Sequence, residues 1–355
     1  DARAMIVTAG NANVCTGRRG MENTQLLAEA VAQGAVGAKT NPVIVIQAVR
    51  NSVDEWIPVL HELIADNPAA TEDEISWSLI GHGARDAAEL LHPVYEATGH
   101  CKGFLSVQVN PKYYANKDLM VTHARVLSRI APNVAIKVPA TLPGIAAMEK
   151  LTSEGVRINA TVCFSVAQAL ACAEAVERGL AQAQASGRDC STLMPNITIM
   201  VGRIDDHLRR IMAKESITVD PGHTNWAGVA IFKRAWRLFQ ERGYHSTLLA
   251  AAYRYQMHWT ELVGENVAQT IPYSWWQQFN ASGITPQRSI DEPVDSRIVD
   301  SLLMHFGDFR RAYVEDGMTP EEFVHFGATA HTLEQFLDGY QKLLEVVRKH
   351  MLWKS

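Results

Sequence analysis

The fold is decided by residues 134–144, Val134-Ala-Ile-Lys-Val-Pro-Ala-Thr-Leu-Pro-Gly144. The aliphatic segment 134–138 predicts a short buried strand, because β-branched residues dominate it and a proline follows. Pro143 predicts the first turn of a helix, which we expect to end at Gly155. A strand followed within a few residues by a helix is the repeating unit of a parallel α/β sheet. This stretch therefore predicts an α/β fold.

The same unit recurs along the chain. Short aliphatic segments predict strands at 4–8, 35–39, 103–109, 134–138, 156–161, 197–201, 247–251 and 267–271. Helical patterns are found at 22–33, at 43–98 with breaks near 67–71 and 81–83, at 116–130, at 143–155 and from Val166 onward. About eight such units predict a (β/α)8 TIM barrel with right-handed crossovers. An open doubly wound sheet is the alternative, but Thr8-Ala-Gly-Asn11 lacks the glycine-rich loop of a dinucleotide-binding fold.

The last seventy or so residues have a different pattern. Leu333, Phe336, Tyr340 and Leu344 recur at helical spacing and predict one long amphipathic helix. We therefore predict a barrel over 1–285 and a C-terminal helical extension over 286–355, packed on the barrel within a single domain. We expect this extension to serve as a cover over the barrel, as a surface between subunits, or simply as additional core on one flank.

Composition excludes several classes of function. The 355 residues are 47% hydrophobic and 20% charged, with 33 Lys+Arg against 38 Asp+Glu. A net charge of −5 leaves no basic excess for a nucleic acid, and no apolar run is long enough for a membrane span. The five cysteines form no C-x-x-C pair, and the N-terminus does not resemble a signal peptide. We therefore expect a cytoplasmic protein with reduced thiols, and the absence of an H-E-x-x-H motif predicts no metal.

Lys137 is unusual because it lies in an aliphatic strand, where a charged amine is costly to bury. If this strand were at the edge of the sheet, the lysine would simply face water. In a central strand, burial would lower the pKa of Lys137 and leave a neutral amine able to attack a carbonyl carbon. The product would be a Schiff base, which acts as an electron sink for carbon–carbon cleavage. Lys137 is therefore the candidate nucleophile.

Polar residues also occupy other predicted strands near their C-terminal ends, where barrels carry their active sites. Asn41 follows the second strand, Gln108 lies in the third, and Asn159 and Thr161 share one face of the fifth. These residues are candidates for holding a water or a substrate hydroxyl. The structural alternatives are a turn residue for Asn41 and hydrogen-bonded polar core for the others.

Two arginines follow late strands. Arg203 comes just after the sixth strand and Arg254 just after the seventh. The last loops of a barrel often bind phosphate, and a guanidinium suits that group because it is bidentate. Surface salt bridges are the alternative for each arginine.

Several short motifs occur in a fixed order, namely Thr40-Asn-Pro42, Ile136-Lys-Val-Pro-Ala-Thr141 with Gly144, Asn159-Ala-Thr161, Phe164-Ser165 with Gln168, and Val201-Gly-Arg203 with Asp205. This order resembles the transaldolase family over essentially the whole chain, including the closing helices over 319–347. The central stretch is similar to the family's Schiff-base lysine strand followed by its N-x-T strand and F-S-x-x-Q-A helix start. The family fold is a (β/α)8 barrel.

The resemblance implies roles for these residues. Lys137 would form a Schiff base with a ketose phosphate such as sedoheptulose 7-phosphate or fructose 6-phosphate, and Thr161 would position the catalytic water. Asn41 and Asn159 would hold donor hydroxyls. The substrate phosphate would bind Arg203 and Arg254. The resemblance further implies a dihydroxyacetone transferase of the pentose phosphate pathway that uses sugar phosphates and needs no cofactor, and it leaves a homo-oligomer open.

The chain departs from the family pattern at five positions. Gln108 stands where the family has a glutamate proton shuttle, and Thr8 is the nearest match to an aspartate of the first strand. Thr198 replaces a substrate-binding serine, and Ala252 replaces another serine. Met200 stands where transaldolases have phenylalanine and related aldolases have tyrosine.

These departures leave three functional hypotheses. The first is a transaldolase with an altered sugar site, and the second is an aldolase that releases dihydroxyacetone without an acceptor. The third is a barrel that binds a phosphorylated sugar or a protein partner and has lost catalysis. An amide cannot transfer the shuttle proton, so Tyr113 or Tyr114, just past the third strand, is a candidate replacement.

Overall fold

The computed structural model describes residues 3–7, 35–51 and 53–352. Within them lie eight strands, β1 (Arg3–Val7), β2 (Gly37–Lys39), β3 (Phe104–Gln108), β4 (Val134–Pro139), β5 (Ile158–Cys163), β6 (Asn196–Ile199), β7 (Thr247–Ala250) and β8 (Val267–Pro272). The predicted helix at 22–33 and the candidate Thr8 lie outside the described residues.

The eight strands form one parallel sheet in the order β1-β8-β7-β6-β5-β4-β3-β2. The strands at the two ends of this order, β1 and β2, have Cα atoms within 8 Å of each other, so the sheet curves round on itself. Strands β3, β4 and β5 are buried along their whole length, as expected where helices cover one face and core side chains the other. The predicted TIM barrel is confirmed.

The helices alternate with the strands and then continue past β8. Those of the barrel are α1 (Pro42–Asn51), α2 (Val53–Asp66), α3 (Glu72–Ala97), α4 (Lys117–Leu127), α5 (Leu142–Ser153), α6 (Val166–Ala185), α7 (Val201–Glu215), α8 (Ala227–Arg242), α9 (Met257–Thr260) and α10 (Tyr273–Ala281). The C-terminal ones are α11 (Ser296–His305), α12 (Gly307–Tyr313) and α13 (Gly327–Leu352), and short 3-10 turns lie at Pro111–Tyr113, His223–Trp226 and Phe323–His325.

One predicted helix break is present and one is wrong. The break near 67–71 separates α2 from α3, where Thr71 and Glu74 form a capping box. The expected break at 81–83 is absent, because α3 runs through both glycines. A Cβ on Gly83 would come within 2.9 Å of the Trp56 ring, so the missing side chain lets α2 pack closely against α3. Gly83 therefore serves helix packing rather than a turn.

The long C-terminal helix α13 crosses the end of the barrel at which the strands terminate. Near its start Thr329 meets the Gln168 amide, 3.3 Å away, at the beginning of α6. Farther along, the Tyr340 hydroxyl donates to Asp73 at 2.8 Å, at the start of α3. Because helix starts lie beside strand C-termini in a (β/α)8 barrel, α13 covers part of the face where active sites occur.

Candidate active site

A cavity of about 160 Å³ lies at the C-terminal ends of the strands. Its polar lining residues are Lys39, Asn41, Lys137, Thr161, Thr198, Arg203, Arg254 and Thr270. Its apolar lining residues are Ile44, Met200, Ala251, Ala252 and Pro272. The described lining thus contains four basic side chains and no carboxylate, so the cavity attracts anions.

Lys137 lies near the end of β4 and is only 5% exposed. Its Nζ donates to the carbonyl oxygen of Thr40 at 3.0 Å. Burial, and then the charge of Arg203, lower the pKa of Lys137 to about 7. The neutral amine of Lys137 is therefore accessible near neutral pH and can act as a nucleophile.

A second buried lysine, Lys39, enters the cavity from β2. It is 5% exposed, and its Nζ donates to Thr198 Oγ1 at 2.8 Å. Burial, and then the charge of Lys137, hold the pKa of Lys39 well below its ordinary value. Both amines line the same buried cavity, where they repel each other when both are charged.

Asn159 joins this lysine to the neighbouring strands. The orientation of its amide that satisfies every neighbour directs its oxygen toward Lys39 Nζ and Ser106 Oγ, each 3.0 Å away. Its nitrogen then donates to Thr198 Oγ1 at 2.7 Å. Asn159 is fully buried beneath the cavity, next to Lys137 in the β4–β5 register. The Thr198 oxygen thus accepts two hydrogen bonds and keeps its own hydrogen to donate.

Thr161 lines the cavity from β5, directly before an unusual backbone position. Val162 has φ 55°, in the left-handed region that β-branched residues rarely adopt. The β5–β6 pairing also shifts register between Ala160 and Cys163. Irregularities of this kind re-aim side chains next to functional sites, here the Thr161 hydroxyl.

Gln108 lies next to Lys137 in the β3–β4 register but does not line the cavity. Its side chain is buried, and its Oε1 has no hydrogen-bond partner among the described residues. Tyr113 and Tyr114 are also outside the cavity lining, and Tyr113 packs edge-on against the His123 ring. Neither tyrosine is therefore placed where it could replace the missing proton donor.

Arg203, at the start of α7, is held by neutral partners. Its Nη1 donates to Thr332 Oγ1 at 3.2 Å and also to Gln335 Oε1, both on α13. No carboxylate within the described ranges makes an ion pair with it, and burial lowers its pKa to about 10. It remains charged at neutral pH and has no direct anionic partner, so a bound anion would be favourable.

Arg254, by contrast, already has an anionic partner. Its Nε lies 3.0 Å and its Nη2 2.9 Å from Asp206 Oδ2. Its Nη1 donates to the carbonyl oxygens of Ala252 and Tyr253 at 3.1 and 3.0 Å. Gly202 allows this loop to approach α7, because a Cβ there would overlap the Ala252 carbonyl oxygen.

A fully buried pair fixes the backbone of the same loop. His258 Nε2 donates to Asp205 Oδ2 at 2.7 Å, and His258 Nδ1 accepts the Arg254 backbone N–H at 2.9 Å. Both side chains are completely buried, and burial raises the pKa of Asp205. Asp205 therefore positions Arg254 through His258 rather than facing the cavity.

Six of the nine predicted site residues line this one cavity, namely Asn41, Lys137, Thr161, Thr198, Arg203 and Arg254. Asn159 lies directly beneath it, Gln108 lies beside it, and Thr8 is outside the described residues. Lys39, Asp206 and His258 were not predicted from the sequence. A lysine at the end of a buried strand was a signal for Lys39 of the same kind that identified Lys137.

The described residues contain no group of three or more His, Cys, Asp or Glu side chains able to hold a metal ion. Across the same described ranges, no helix is both long and apolar enough to cross a membrane.

Comparison with known proteins identifies a family that spans most of the chain. Residues 21–346 match the Transaldolase/Fructose-6-phosphate aldolase family. The chain belongs to this family. The family comprises transaldolases and fructose-6-phosphate aldolases.

Individual relatives are distant. The chain is 28% identical to a transaldolase of Thermobifida fusca over 342 residues, which cover 92% of this chain and 91% of that protein. It is 25% identical to a transaldolase of Parafrankia sp. over 350 residues, or 90% of this chain and 89% of that one. A Thiobacillus denitrificans transaldolase is 32% identical over 234 residues, covering 63% of each chain. At this distance the family is shared, whereas the substrate is a separate question.

Proposed function

We propose that the protein is a transaldolase-type transferase that moves a dihydroxyacetone unit from a ketose phosphate to an aldose phosphate. The observation that carries this proposal is the buried Lys137 amine, whose pKa of about 7 leaves it nucleophilic at neutral pH. The cationic lining of its cavity supports a phosphorylated substrate. Family membership supports the choice of Schiff-base chemistry.

The proposed reaction has two halves. Neutral Lys137 attacks the donor carbonyl, water leaves, and the resulting iminium withdraws electrons as the carbon–carbon bond breaks. An aldose is released, and a three-carbon enamine stays on Lys137. An acceptor aldehyde then forms a new bond to the enamine carbon, and hydrolysis of the second iminium releases the new ketose.

The other polar groups have roles that follow from their positions. Arg203 and Arg254 bind the substrate phosphate, with Arg203 contributing a charge that has no direct anionic partner. Thr198 and Asn41 donate to substrate oxygens, and Thr161 holds the water of the hydrolytic step. Asn159 acts from beneath, through Thr198.

An aldolase that releases dihydroxyacetone is the second candidate. Gln108 favours it, because this chain resembles related sugar-phosphate aldolases of the same superfamily in having glutamine there. Met200 does not favour it, because those aldolases have tyrosine at that position. The two functions differ in whether turnover requires an acceptor.

The test is a coupled assay of fructose 6-phosphate turnover with and without a four-carbon aldose phosphate. We expect turnover that depends on the acceptor, and a loss of at least ~10³-fold in Lys137→Met. Lys150→Met, at an exposed lysine of α5, is the matched control and should keep full activity. Equal turnover without acceptor would assign the aldolase reaction, and full activity of Lys137→Met would overturn both.

A further inference from the structure

The cavity holds one more basic group than the proposed chemistry uses. Lys39 lines it from β2, bonded to Thr198 Oγ1 at 2.8 Å and to the Asn159 oxygen at 3.0 Å. Both partners are neutral, and no carboxylate in the described part of the chain pairs with this amine. A buried lysine without a counter-ion is costly to retain unless it acts on a ligand.

The reaction needs a group that gives and takes protons, and the cavity offers few. Its amide and its threonine hydroxyls do not exchange protons readily near neutral pH, and its two arginines stay charged. Once Lys137 is bonded to the substrate, Lys39 is the remaining titratable side chain among the described lining residues. Gln108, where the family resemblance predicts a carboxylate shuttle, is an amide.

We propose that Lys39 is the acid–base group of this site, and that Lys39 and Lys137 share one positive charge which passes between them during the reaction. The inference rests on the proposed function, because it assumes a Schiff base on Lys137. Charge repulsion is its physical basis, because two buried amines that line one cavity are costly to charge at the same time.

The proton balance closes over the first half-reaction. Neutral Lys137 adds to the carbonyl to give a carbinolamine, and the Lys39 ammonium donates its proton to the hydroxyl that leaves as water. The iminium then carries the positive charge, and Lys39 is neutral. As the carbon–carbon bond breaks, its electrons neutralise the iminium, and Lys39 takes the proton of the donor hydroxyl.

In the second half-reaction the proton moves in the opposite direction, from Lys39 to the substrate. The enamine carbon attacks the acceptor aldehyde, and the Lys39 ammonium protonates the new alkoxide while the iminium forms again. At each stage one positive charge is on the iminium or on Lys39. The charged groups that face Lys39 across the cavity are Lys137, Arg203 and Arg254, with Asp206 paired to Arg254.

The test separates Schiff-base formation from proton transfer. Lys39→Met keeps an unbranched side chain that matches the lysine up to Cε but removes the amine, and we expect turnover to fall ~10²–10⁴-fold, the usual contribution of a general acid–base group. Prolonged incubation with dihydroxyacetone and borohydride should still label Lys137 in this variant. A plot of the residual activity against pH should lack the change in rate that titration of Lys39 causes in the unaltered protein.

Chemical rescue provides a second measurement, and it should show no response if Lys39 has only a structural role. In Lys39→Ala, small primary amines of graded pKa should restore turnover in proportion to their basicity, whereas Lys137→Ala should not respond in this way. Lys39→Gln, which keeps a donor for Thr198, is used if the other variants do not fold, and it should be as slow as Lys39→Met.

The outcomes are distinct. Turnover of Lys39→Met or Lys39→Gln within tenfold of wild type, with an unchanged pH profile, overturns the acid–base role. Low turnover without amine rescue also overturns it, because Lys39 would then only shape the cavity. No adduct on Lys137 of the unaltered protein refutes the proposed function itself.

Discussion

At the scale of single residues, the chemistry depends on how Arg203 sets the pKa of Lys137. The charge of Arg203 lowers this pKa, second only to burial. Removing that charge in Arg203→Met should therefore raise the pKa of Lys137 toward its ordinary value. At pH 7 fewer lysines would then be neutral, so the rate of Schiff-base formation should rise only at higher pH than in the unaltered protein.

The measurement is the rate of borohydride trapping of dihydroxyacetone between pH 6 and 10. An unphosphorylated carbonyl is used because it does not depend on phosphate binding. Arg254→Met is the matched control and should move the midpoint less, because its guanidinium is paired with Asp206. A midpoint that stays unchanged, or falls, in Arg203→Met would contradict this electrostatic account.

At the scale of elements, the two arginines are held together by a close approach between α7 and the loop after β7. Gly202 permits this approach, because a Cβ there would overlap the Ala252 carbonyl oxygen. Gly202→Ala should push the loop away and raise KM for phosphorylated ketoses by about tenfold or more, while trapping of dihydroxyacetone changes little.

Gly81→Ala is the control for that substitution. Gly81 lies inside α3, and a Cβ there would meet nothing within 4 Å. Alanine should raise the free energy of unfolding by roughly 0.5–1 kcal/mol through helix propensity, without any effect on KM. Equal KM values for the two variants would mean that the close approach does not position the arginines.

The elements were largely predictable from the sequence, because each buried strand is a short aliphatic segment bounded by turn residues. Periodicity could not identify α3 as continuous, since the glycine signal at 81–83 is outweighed by packing against Trp56. It also could not show which polar side chains meet. Asp206 and His258 act through partners about fifty residues distant, and such pairings arise only when strands come together.

The candidate site also contains one lysine that the sequence predicts and one that it does not. Lys137 was predictable because a lysine in an aliphatic strand is conspicuous. Lys39 also lies in a buried strand, but that strand is only three residues long and the adjoining Thr40-Asn-Pro42 motif favours a turn. Lys39 is therefore less conspicuous in the sequence. Its significance depends on the hydrogen bond to Thr198, 159 positions away in sequence, which forms only when β2 and β6 are brought together by folding.

At the scale of the whole molecule, we propose that residues 286–355 form one cooperative unit with the barrel. Helix α13 buries Phe336, Tyr340 and Leu343 completely, and its Thr332 bonds Arg203 in the cavity. A chain that ends at residue 285 would lose this cover and expose the apolar surface beneath. It should therefore lack a cooperative thermal transition.

The matching test within the full chain is Phe336→Ala, which should cost ~3–5 kcal/mol of the free energy of unfolding. Far-ultraviolet circular dichroism and tryptophan fluorescence should report the same midpoint in the intact protein. Two separate transitions, or a cooperative transition in the shortened chain, would show that the C-terminal helices are an independent unit.

The position of the covalent intermediate shows directly which lysine forms the Schiff base. The protein is incubated with fructose 6-phosphate, reduced with borohydride and analysed by peptide mass spectrometry. We predict a three-carbon adduct on Lys137 and none on Lys39. Acceptor-dependent turnover without any adduct on Lys137, or an adduct on Lys39 instead, would contradict the account.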